Sequence, residues 1–261
     1  MQVGCDKLLR NQCKSSRLGI VLTVLLISGL SGCLFGDEEE LISINIDYNN
    51  SESVVEKTYV DGQLESTSPA KINFDFKDTK SKFTIVTFGL EVAELDLESK
   101  VTAKERSNIE VEFYQHGSYE LVFFAIDKKD NRVEMSFNVS VDLHIDWTEL
   151  STNDPIVLEF DPRPANGGLH AKMIEVESTV ENPNILTEFG GGRDVEITWN
   201  IIDETNDVCQ KNSGVVANGE QLTWETIHFN TYLDHEMVVI YEDGQDSVNV
   251  YHSLLITYST G

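Results

Sequence analysis

Residues 133–143 read VEMSFNVSVDL, and the pattern of this stretch decides the fold that the sequence predicts. Apolar side chains occupy every second position from Val133 to Leu143, and polar side chains fill the positions between them. Alternation with a period of two places successive side chains on opposite faces of a β-strand. The stretch therefore predicts a strand that packs one face on a core and leaves the other in water.

Further segments with strand character lie on both sides of it. They include 42–48, 72–76 and 109–113 before it, and 156–160, 174–176, 195–201, 222–229, 236–241 and 248–258 after it. Turn-forming residues separate them, as at Asp61-Gly62 and Asp243-Gly244. No window carries a sustained helical stripe; residues 91–104 are the most helix-like and fit an irregular crossover equally well. Such a chain is expected to be all-β, built from two tandem antiparallel β-sandwiches.

A tyrosine motif precedes the long alternating stretch. Residues 117–125 read GSYELVFFA, which matches the start of the penultimate strand of immunoglobulin-like domains. On this motif, residues 109–143 resemble PKD and related Ig-like surface domains, and the missing cysteine pair and core tryptophan of antibody domains favour the PKD side. The resemblance implies that Tyr119 turns its hydroxyl back onto the backbone at a sandwich corner. It also implies a PKD/Ig-like domain over residues 41–147. The strands that resume after the link 147–154 predict a second sandwich, of unassigned family, over 148–261.

The first 36 residues differ in character from the rest. Four basic residues come first, and nineteen uncharged residues follow from Leu18 to Gly36. A basic start, an apolar run and small residues before a cleavage point are typical of a secretory signal peptide. An uncleaved membrane helix over about 18–36 is the alternative. Either interpretation places the remaining chain outside the cytoplasm.

Leu30-Ser31-Gly32-Cys33 closes the apolar run. These residues resemble the lipobox of prokaryotic lipoproteins. The resemblance implies that residues 1–32 are removed as a signal peptide and that Cys33 carries the lipid. Residues 33–40 would then be the lipidated cysteine and an acidic tether, because the like charges of Asp37-Glu38-Glu39-Glu40 repel and extend the chain. The expected location is the extracytoplasmic face of the cell membrane, with membrane lipid as a partner through Cys33.

The chain is strongly acidic. Its formal net charge is −26, with 19 basic and 45 acidic residues. Such a surface repels nucleic-acid phosphates, so nucleic acid is excluded as a partner. With its lipobox, its excess of Lys over Arg and its frequent Asn and Ile, the chain resembles surface lipoproteins of marine or salt-adapted archaea, and a bacterial origin stays open.

Catalytic signatures are absent from the sequence. It contains no HExxH zinc motif, no GxSxG nucleophile elbow and no GxxxxGK[ST] phosphate loop. We therefore expect a protein that is not an enzyme, with no catalytic residues and no cofactor.

Several residues have the chemistry of metal ligands, but the sequence predicts no metal site. Asp142, His144 and Asp146 share one strand face, but the apolar residues between them make that face an ordinary solvent side. His116, His228 and His235 have no partner ligand at a recognisable spacing. Two acidic loops offer oxygens for calcium but lack the D-x-[DN]-x-[DN]-G pattern. Their residues are Asp127, Asp130 and Asn131, and Asp203, Glu204, Asn206 and Asp207.

Cysteine and tryptophan add two further expectations. Cys209 is the only cysteine after Cys33, so no disulfide is expected within residues 34–261, and a buried, inert thiol is predicted. Of the tryptophans, Trp199 falls in register with a core-facing strand pattern. Trp147 and Trp224 remain candidates for a sugar-stacking surface.

These patterns favour a non-enzymatic, membrane-anchored cell-surface lipoprotein. Its expected role is a binding, adhesion or spacer module whose partner is a surface protein or a glycan. One alternative is a glycan- or calcium-binding module of a surface complex. A hydrolase with an unrecognised site is another, and it requires a pocket with at least two titratable groups in contact.

Overall fold

A computed structural model describes residues 41–49, 53–184, 192–244 and 247–258. The predicted signal peptide, Cys33 and the tether lie outside the described residues. From Ile42 onward the chain forms one compact unit. Within the described ranges, no helix is long and apolar enough to cross a membrane.

The described residues form seventeen β-strands and one short 3-10 helix. The strands are β1 (Ile42–Ser43), β2 (Val54–Val60), β3 (Gln63–Ser68), β4 (Ala70–Asp75), β5 (Lys80–Ser81), β6 (Ile85–Val92), β7 (Leu97–Thr102), β8 (Asn108–Phe113), β9 (Gly117–Asp127), β10 (Arg132–Thr152), β11 (Leu158–Phe160), β12 (Met173–Glu181), β13 (Val195–Asp203), β14 (Val208–Val216), β15 (Gln221–His228), β16 (His235–Asp243) and β17 (Val248–Thr257). The 3-10 helix, Ala93–Leu95, lies between β6 and β7 and is the helical part of the segment 91–104. The prediction of an all-β fold is confirmed.

The alternating stretch 133–143 lies in β10, a strand of 21 residues. From Arg132 to Val141 this strand pairs antiparallel with β9. From Asp142 onward it pairs in parallel with β2, and from Leu143 it also pairs antiparallel with β17. The strand therefore continues through most of the predicted link, ending at Thr152.

Two layered regions share β10. In the first, β7, β6, β9 and the start of β10 form one layer. Phe74 and Phe76 on and just after β4 contact Phe123 of β9, with ring centroids 5.1 and 5.9 Å away. The pair formed by β4 and β8 therefore packs across the core from that layer.

In the second region, β15, β12, β17, the end of β10, β2 and β3 form one layer, and β11, β16, β13 and β14 form the other. β2 and β3 come from the first part of the chain, yet they extend a sheet of the second part. The division into domains 41–147 and 148–261 stays a prediction, and its boundary falls inside β10.

Tyr119 makes the hydrogen bond that its motif implies. Its hydroxyl donates to the backbone carbonyl of Gln115 at 2.8 Å, and its ring packs on Phe113 at 4.8 Å between centroids. The side chain is 1% exposed, so the hydroxyl would otherwise be a costly buried polar group. The bond fixes the turn that leads into β9.

A buried hydrogen-bond chain joins the two layers of the second region. Trp199 Nε1 on β13 donates to Ser178 Oγ on β12 at 2.8 Å. The same Ser178 oxygen is hydrogen-bonded to His252 Nδ1 on β17, also at 2.8 Å, and the histidine tautomer sets which of the two donates. All three side chains are buried, and Trp199 and Ser178 are 0% exposed. One serine hydroxyl therefore satisfies polar atoms from both layers.

We predict that Ser178→Ala destabilises the protein strongly. The change leaves Trp199 Nε1 and His252 Nδ1 without their common partner, and each unsatisfied buried group costs about 1–3 kcal/mol. The free energy of unfolding, measured by urea denaturation, should fall by about 2–5 kcal/mol. Ser213→Ala, on an exposed position of β14, should change it by less than about 0.5 kcal/mol. Equal effects of the two changes would contradict the role given to Ser178.

The buried histidines predict a pH dependence. Burial lowers the pKa of His252 to about 4, so between about pH 6.5 and pH 4 the unfolded chain binds a proton that the folded chain does not. Stability therefore falls as the pH falls through this window, by roughly 1.4 kcal/mol per pH unit. His252→Gln should reduce the slope of unfolding free energy between pH 6 and pH 5 by about this amount. Ser213→Ala, on an exposed position of β14, removes no titratable group and should leave the slope unchanged.

Candidate functional site

An open cleft of about 550 Å³ lies where β2 joins β10. Leu143 and Ile145 of β10 contribute apolar surface and are almost fully buried. Lys57 and Tyr59 of β2 also line the cleft, and the Tyr59 ring packs against Trp147 with centroids 5.6 Å apart. A loop between β11 and β12 forms much of the remaining wall. The cleft therefore combines apolar surface, an aromatic ring and charged groups.

Asn166 attaches the loop wall to β9. Its Nδ2 donates to the backbone carbonyl of Ser118 at 2.9 Å, and its Oδ1 accepts from the Gly168 backbone N–H at 3.0 Å. A Cβ atom on Gly168 would lie 2.8 Å from the Ser118 carbonyl oxygen, so only glycine permits this approach. The loop therefore has a defined position over the cleft.

Arg163 connects the same loop to the start of β16. Its guanidinium donates to both carboxylate oxygens of Asp161, at 2.8 and 3.0 Å, and to Asp234 at 2.6 Å. Burial alone would raise the pKa of Asp161, but its bonds with Arg163 outweigh burial and lower that pKa. Burial and the nearby charge of Asp161 raise the pKa of Asp234. One arginine thus bonds two carboxylates beside the cleft, and the three groups together carry a net negative charge.

His116 lines the cleft from the turn before β9. Its Nδ1 lies 2.8 Å from the Tyr258 hydroxyl, which donates to the Pro162 carbonyl at 3.1 Å. The Tyr258 proton is used in that bond, so His116 Nδ1 carries a proton and donates to the hydroxyl. Burial, and then the charge of Lys57, lowers the pKa of His116 to about 4. The ring is therefore neutral at pH 7.

Exposed aromatic and apolar side chains flank the cleft. His170 lines it and packs against Tyr232, with ring centroids 4.3 Å apart and the ring planes tilted by 46°. Tyr232 is 61% exposed, and Phe229 of the same β15–β16 loop is 67% exposed. The sequence does not single out these two rings: Tyr232 lies in a loop without strand periodicity, and Phe229 ends the segment 222–229 that is predicted as a strand.

The polar face of β10 behaves as an ordinary structural face. Asp142 accepts a hydrogen bond from the Tyr258 backbone N–H at 2.8 Å, and His144 Nε2 lies 2.9 Å from Ser253 Oγ. The intervening residues, Val141, Leu143, Ile145 and Trp147, are at most 4% exposed. The prediction that these apolar residues face the core is confirmed.

In each of the two acidic loops, an aspartate carboxylate accepts hydrogen bonds from residues of the same turn. Asp127 accepts from the backbone N–H groups of Lys129 and Asn131 and from the Asn131 side chain. Asp203 Oδ1 accepts from Thr205 and from the Asp207 backbone N–H. These bonds stabilise tight turns and leave fewer carboxylate lone pairs for a cation.

None of the three tryptophans offers an exposed stacking face. Trp199 is 0% exposed, which confirms its predicted place in the core, and Trp147 is 4% exposed. Trp224 is half-buried and lies 6.2 Å from the Trp199 ring between centroids. Trp147 therefore contributes to the cleft as support for Tyr59.

Cys209, His228 and His235 come together in the fold. One ligand atom from each lies within 4.8 Å of the others, and this is the one group of three such residues in the described part of the chain. Burial, and then the charge of Asp203, raises the pKa of the half-buried Cys209 thiol. Burial, and then His235, lowers the pKa of His228. Their sequence spacing carries no signal because the three residues belong to three different strands.

No protein-family model and no curated protein sequence matches the chain. Solved structures that resemble it include a carbohydrate-binding module of the β-sandwich superfamily, at 9% identity and TM-score 0.33, covering 82% of this chain and 97% of that one. A SusE-like protein aligns at 11% identity and TM-score 0.20, covering 78% and 96%. A Bacteroides ovatus protein, SGBP-B of a mixed-linkage glucan utilization locus, aligns at 8% identity and TM-score 0.20, covering 76% and 51%.

The chain spans only 32% and 30% of the longer chitinase and β-glucuronidase chains that it also resembles. At TM-scores of 0.20 to 0.33, the likenesses described above assign neither a family nor a ligand.

Proposed function

We propose that this protein is a non-enzymatic binding protein of the cell surface that takes a neutral oligosaccharide into the cleft between β2, β10 and the β11–β12 loop. The observation that carries the proposal is the cleft itself, which combines an aromatic ring, apolar surface and several polar groups. Ligand sites are typically concave and mostly apolar, with a few polar groups that fix orientation.

The aromatic groups match the apolar faces of sugar rings. Tyr59 is backed by Trp147, so its ring has a fixed orientation when a ligand arrives. His170 and Tyr232 form a second pair of packed rings that reaches solvent. An extended ligand can contact Tyr59 within the cleft and this pair at its margin.

The polar groups match sugar hydroxyls, which both donate and accept hydrogen bonds. Lys57 supplies donors, and the carboxylates of Glu159 and Asp161 supply acceptors. Glu159 lies on β11, and the loop that carries Asp161 is attached to the sheet through Asn166, so little entropy is lost in ordering these acceptors.

Two titratable groups that line the cleft, Asp161 and His116, make structural hydrogen bonds, which supports binding without turnover. Asp161 is paired with Arg163, and the lowered pKa of Asp161 makes it a poor proton donor. His116 is neutral and its Nδ1 proton is used in a bond with Tyr258. A hydrolase needs a group free to transfer a proton to or from the ligand.

Display at the membrane through Cys33 completes the proposal. A lipid on this residue would keep the protein at the surface, and the acidic segment 37–40 would separate the folded unit from the bilayer.

The cleft can be tested with soluble gluco-, manno- and chito-oligosaccharides. Tyr59→Ala removes the supported ring and should weaken binding at least about tenfold, the equivalent of about 1.4 kcal/mol, in calorimetric titrations. Tyr114→Ala removes an exposed tyrosine that does not line the cleft and should leave affinity unchanged. Equal affinity of wild type and Tyr59→Ala, or release of shorter sugars from the probe, would contradict the proposal.

The lipid anchor can be tested by intact mass. Wild-type protein expressed in a prokaryotic host that processes lipoproteins should lack residues 1–32 and carry a diacylglycerol mass, because the Cys33 thiol is the lipid acceptor. Cys33→Ser should lack this lipid mass and leave the membrane fraction if processed. Mature wild-type protein that retains residues 1–32 without added lipid would refute the anchor.

A further inference from the structure

We propose that Cys209, His228 and His235 form a binding site for a zinc-class transition metal ion. The site would cross-link the edges of the two layers of the second region. None of the three residues lines the oligosaccharide cleft, and the two tests use different ligands, so either proposal can fail without the other.

The three ligand atoms have a spacing that a metal ion can close. They lie within 4.8 Å of one another. Zinc binds sulfur at about 2.3 Å and imidazole nitrogen at about 2.0–2.1 Å, so tetrahedral ligand atoms lie roughly 3.3–3.6 Å apart. Side-chain movements on the order of 1 Å would bring the group to that geometry.

The two histidines present buried nitrogen atoms without partners. His228 is 7% exposed and His235 is 1% exposed. His228 Nε2 and His235 Nδ1 have no hydrogen-bond partner among the described residues. Buried polar atoms are nearly always satisfied, and an unsatisfied pair beside a thiol points to a missing ligand. A bound cation would accept both lone pairs.

The hydrogen bond on the far side of His235 fixes the tautomer needed for coordination. His235 Nε2 lies 2.8 Å from the Asn230 backbone carbonyl oxygen. A carbonyl oxygen can only accept, so Nε2 carries the proton and Nδ1 presents its lone pair. Metal-binding histidines are typically oriented in this way by an outer hydrogen bond.

Cys209 supplies the soft ligand. Its Sγ lies 3.7 Å from Asp203 Oδ2, and the other Asp203 oxygen is fixed by Thr205 and Asp207. On binding, the S–H bond breaks, the proton leaves to solvent and the thiolate bonds to the metal. Asp203 Oδ2 or water can occupy the fourth position. Sulfur and imidazole ligands favour zinc over calcium or magnesium, which prefer oxygen.

The site joins the edge strands of the two layers of the second region. Cys209 lies on β14, at the edge of the four-stranded sheet, and His228 ends β15, at the edge of the larger sheet. The Gln210 side chain already links the edges by donating to the Ile227 carbonyl at 2.9 Å. A metal ion on Cys209 and His228 would add a stronger cross-link where the chain has no disulfide.

The test uses the purified full chain in mild detergent, with reductant and after chelator treatment. Zn²⁺ is titrated against a chromogenic chelator, and Co²⁺ serves as a spectroscopic probe of thiolate ligation. Wild type should bind one more Zn²⁺ than Cys209→Ser, show a sulfur-to-cobalt absorption band that this variant reduces, and melt at a higher temperature with Zn²⁺. Cys5, Cys13 and Cys33 are common to all variants and cancel in the comparison.

The histidine variants make the test specific. His228→Gln and His235→Gln should each weaken Zn²⁺ binding by more than the ~10–100-fold that loss of an outer hydrogen-bond partner costs. His144→Gln, outside the cluster, should bind Zn²⁺ as wild type does. If Cys209→Ser does not fold, as judged by circular dichroism, His228→Gln replaces it in the stoichiometry measurement. Equal Zn²⁺ stoichiometry and affinity in wild type and these folded variants would overturn the proposal.

Discussion

The shared strand β10 is the constraint on which the architecture depends. Its inward side chains from Val139 to Trp147 are all at most 4% exposed, although its partners change at Asp142. A shift of register by one residue would turn this entire row into water. The alignment of the first region with the second is therefore fixed by the covalent continuity and the alternation of one strand.

The cleft is a consequence of this change of partners. Where β9 stops pairing with β10, β2 begins to pair with it in parallel, and the Leu143 and Ile145 side chains lie at this junction. The β11–β12 loop reaches across to Ser118 through Asn166. A cleft at such a junction has walls from distant parts of the chain: sheet pairing anchors the β2 wall, and a side-chain hydrogen bond from Asn166 anchors the loop wall.

The sequence predicts the local structure well and the long-range structure poorly. Alternation identifies β10 and its buried face, and the GSYELVFFA motif predicts the Tyr119 hydroxyl bond. By contrast, β14 lacks alternation because it is an edge strand with mostly exposed residues. The parallel pairing of β2, and the meeting of Cys209 with two histidines, depend on the order of strands in the sheets. No spacing along the chain encodes that order.

The distribution of charge decides which kind of ligand suits the cleft. The chain has a net charge of −26, and the charge of Arg163 is already balanced by Asp161 and Asp234. His116 adds no positive charge at pH 7 because its pKa is about 4. Lys57 then supplies the remaining positive charge among the residues that line the cleft, and Glu159 and Asp161 supply negative charge. An anionic ligand would meet net repulsion here, whereas a neutral ligand rich in hydroxyls can use the carboxylates as acceptors without any electrostatic cost of approach.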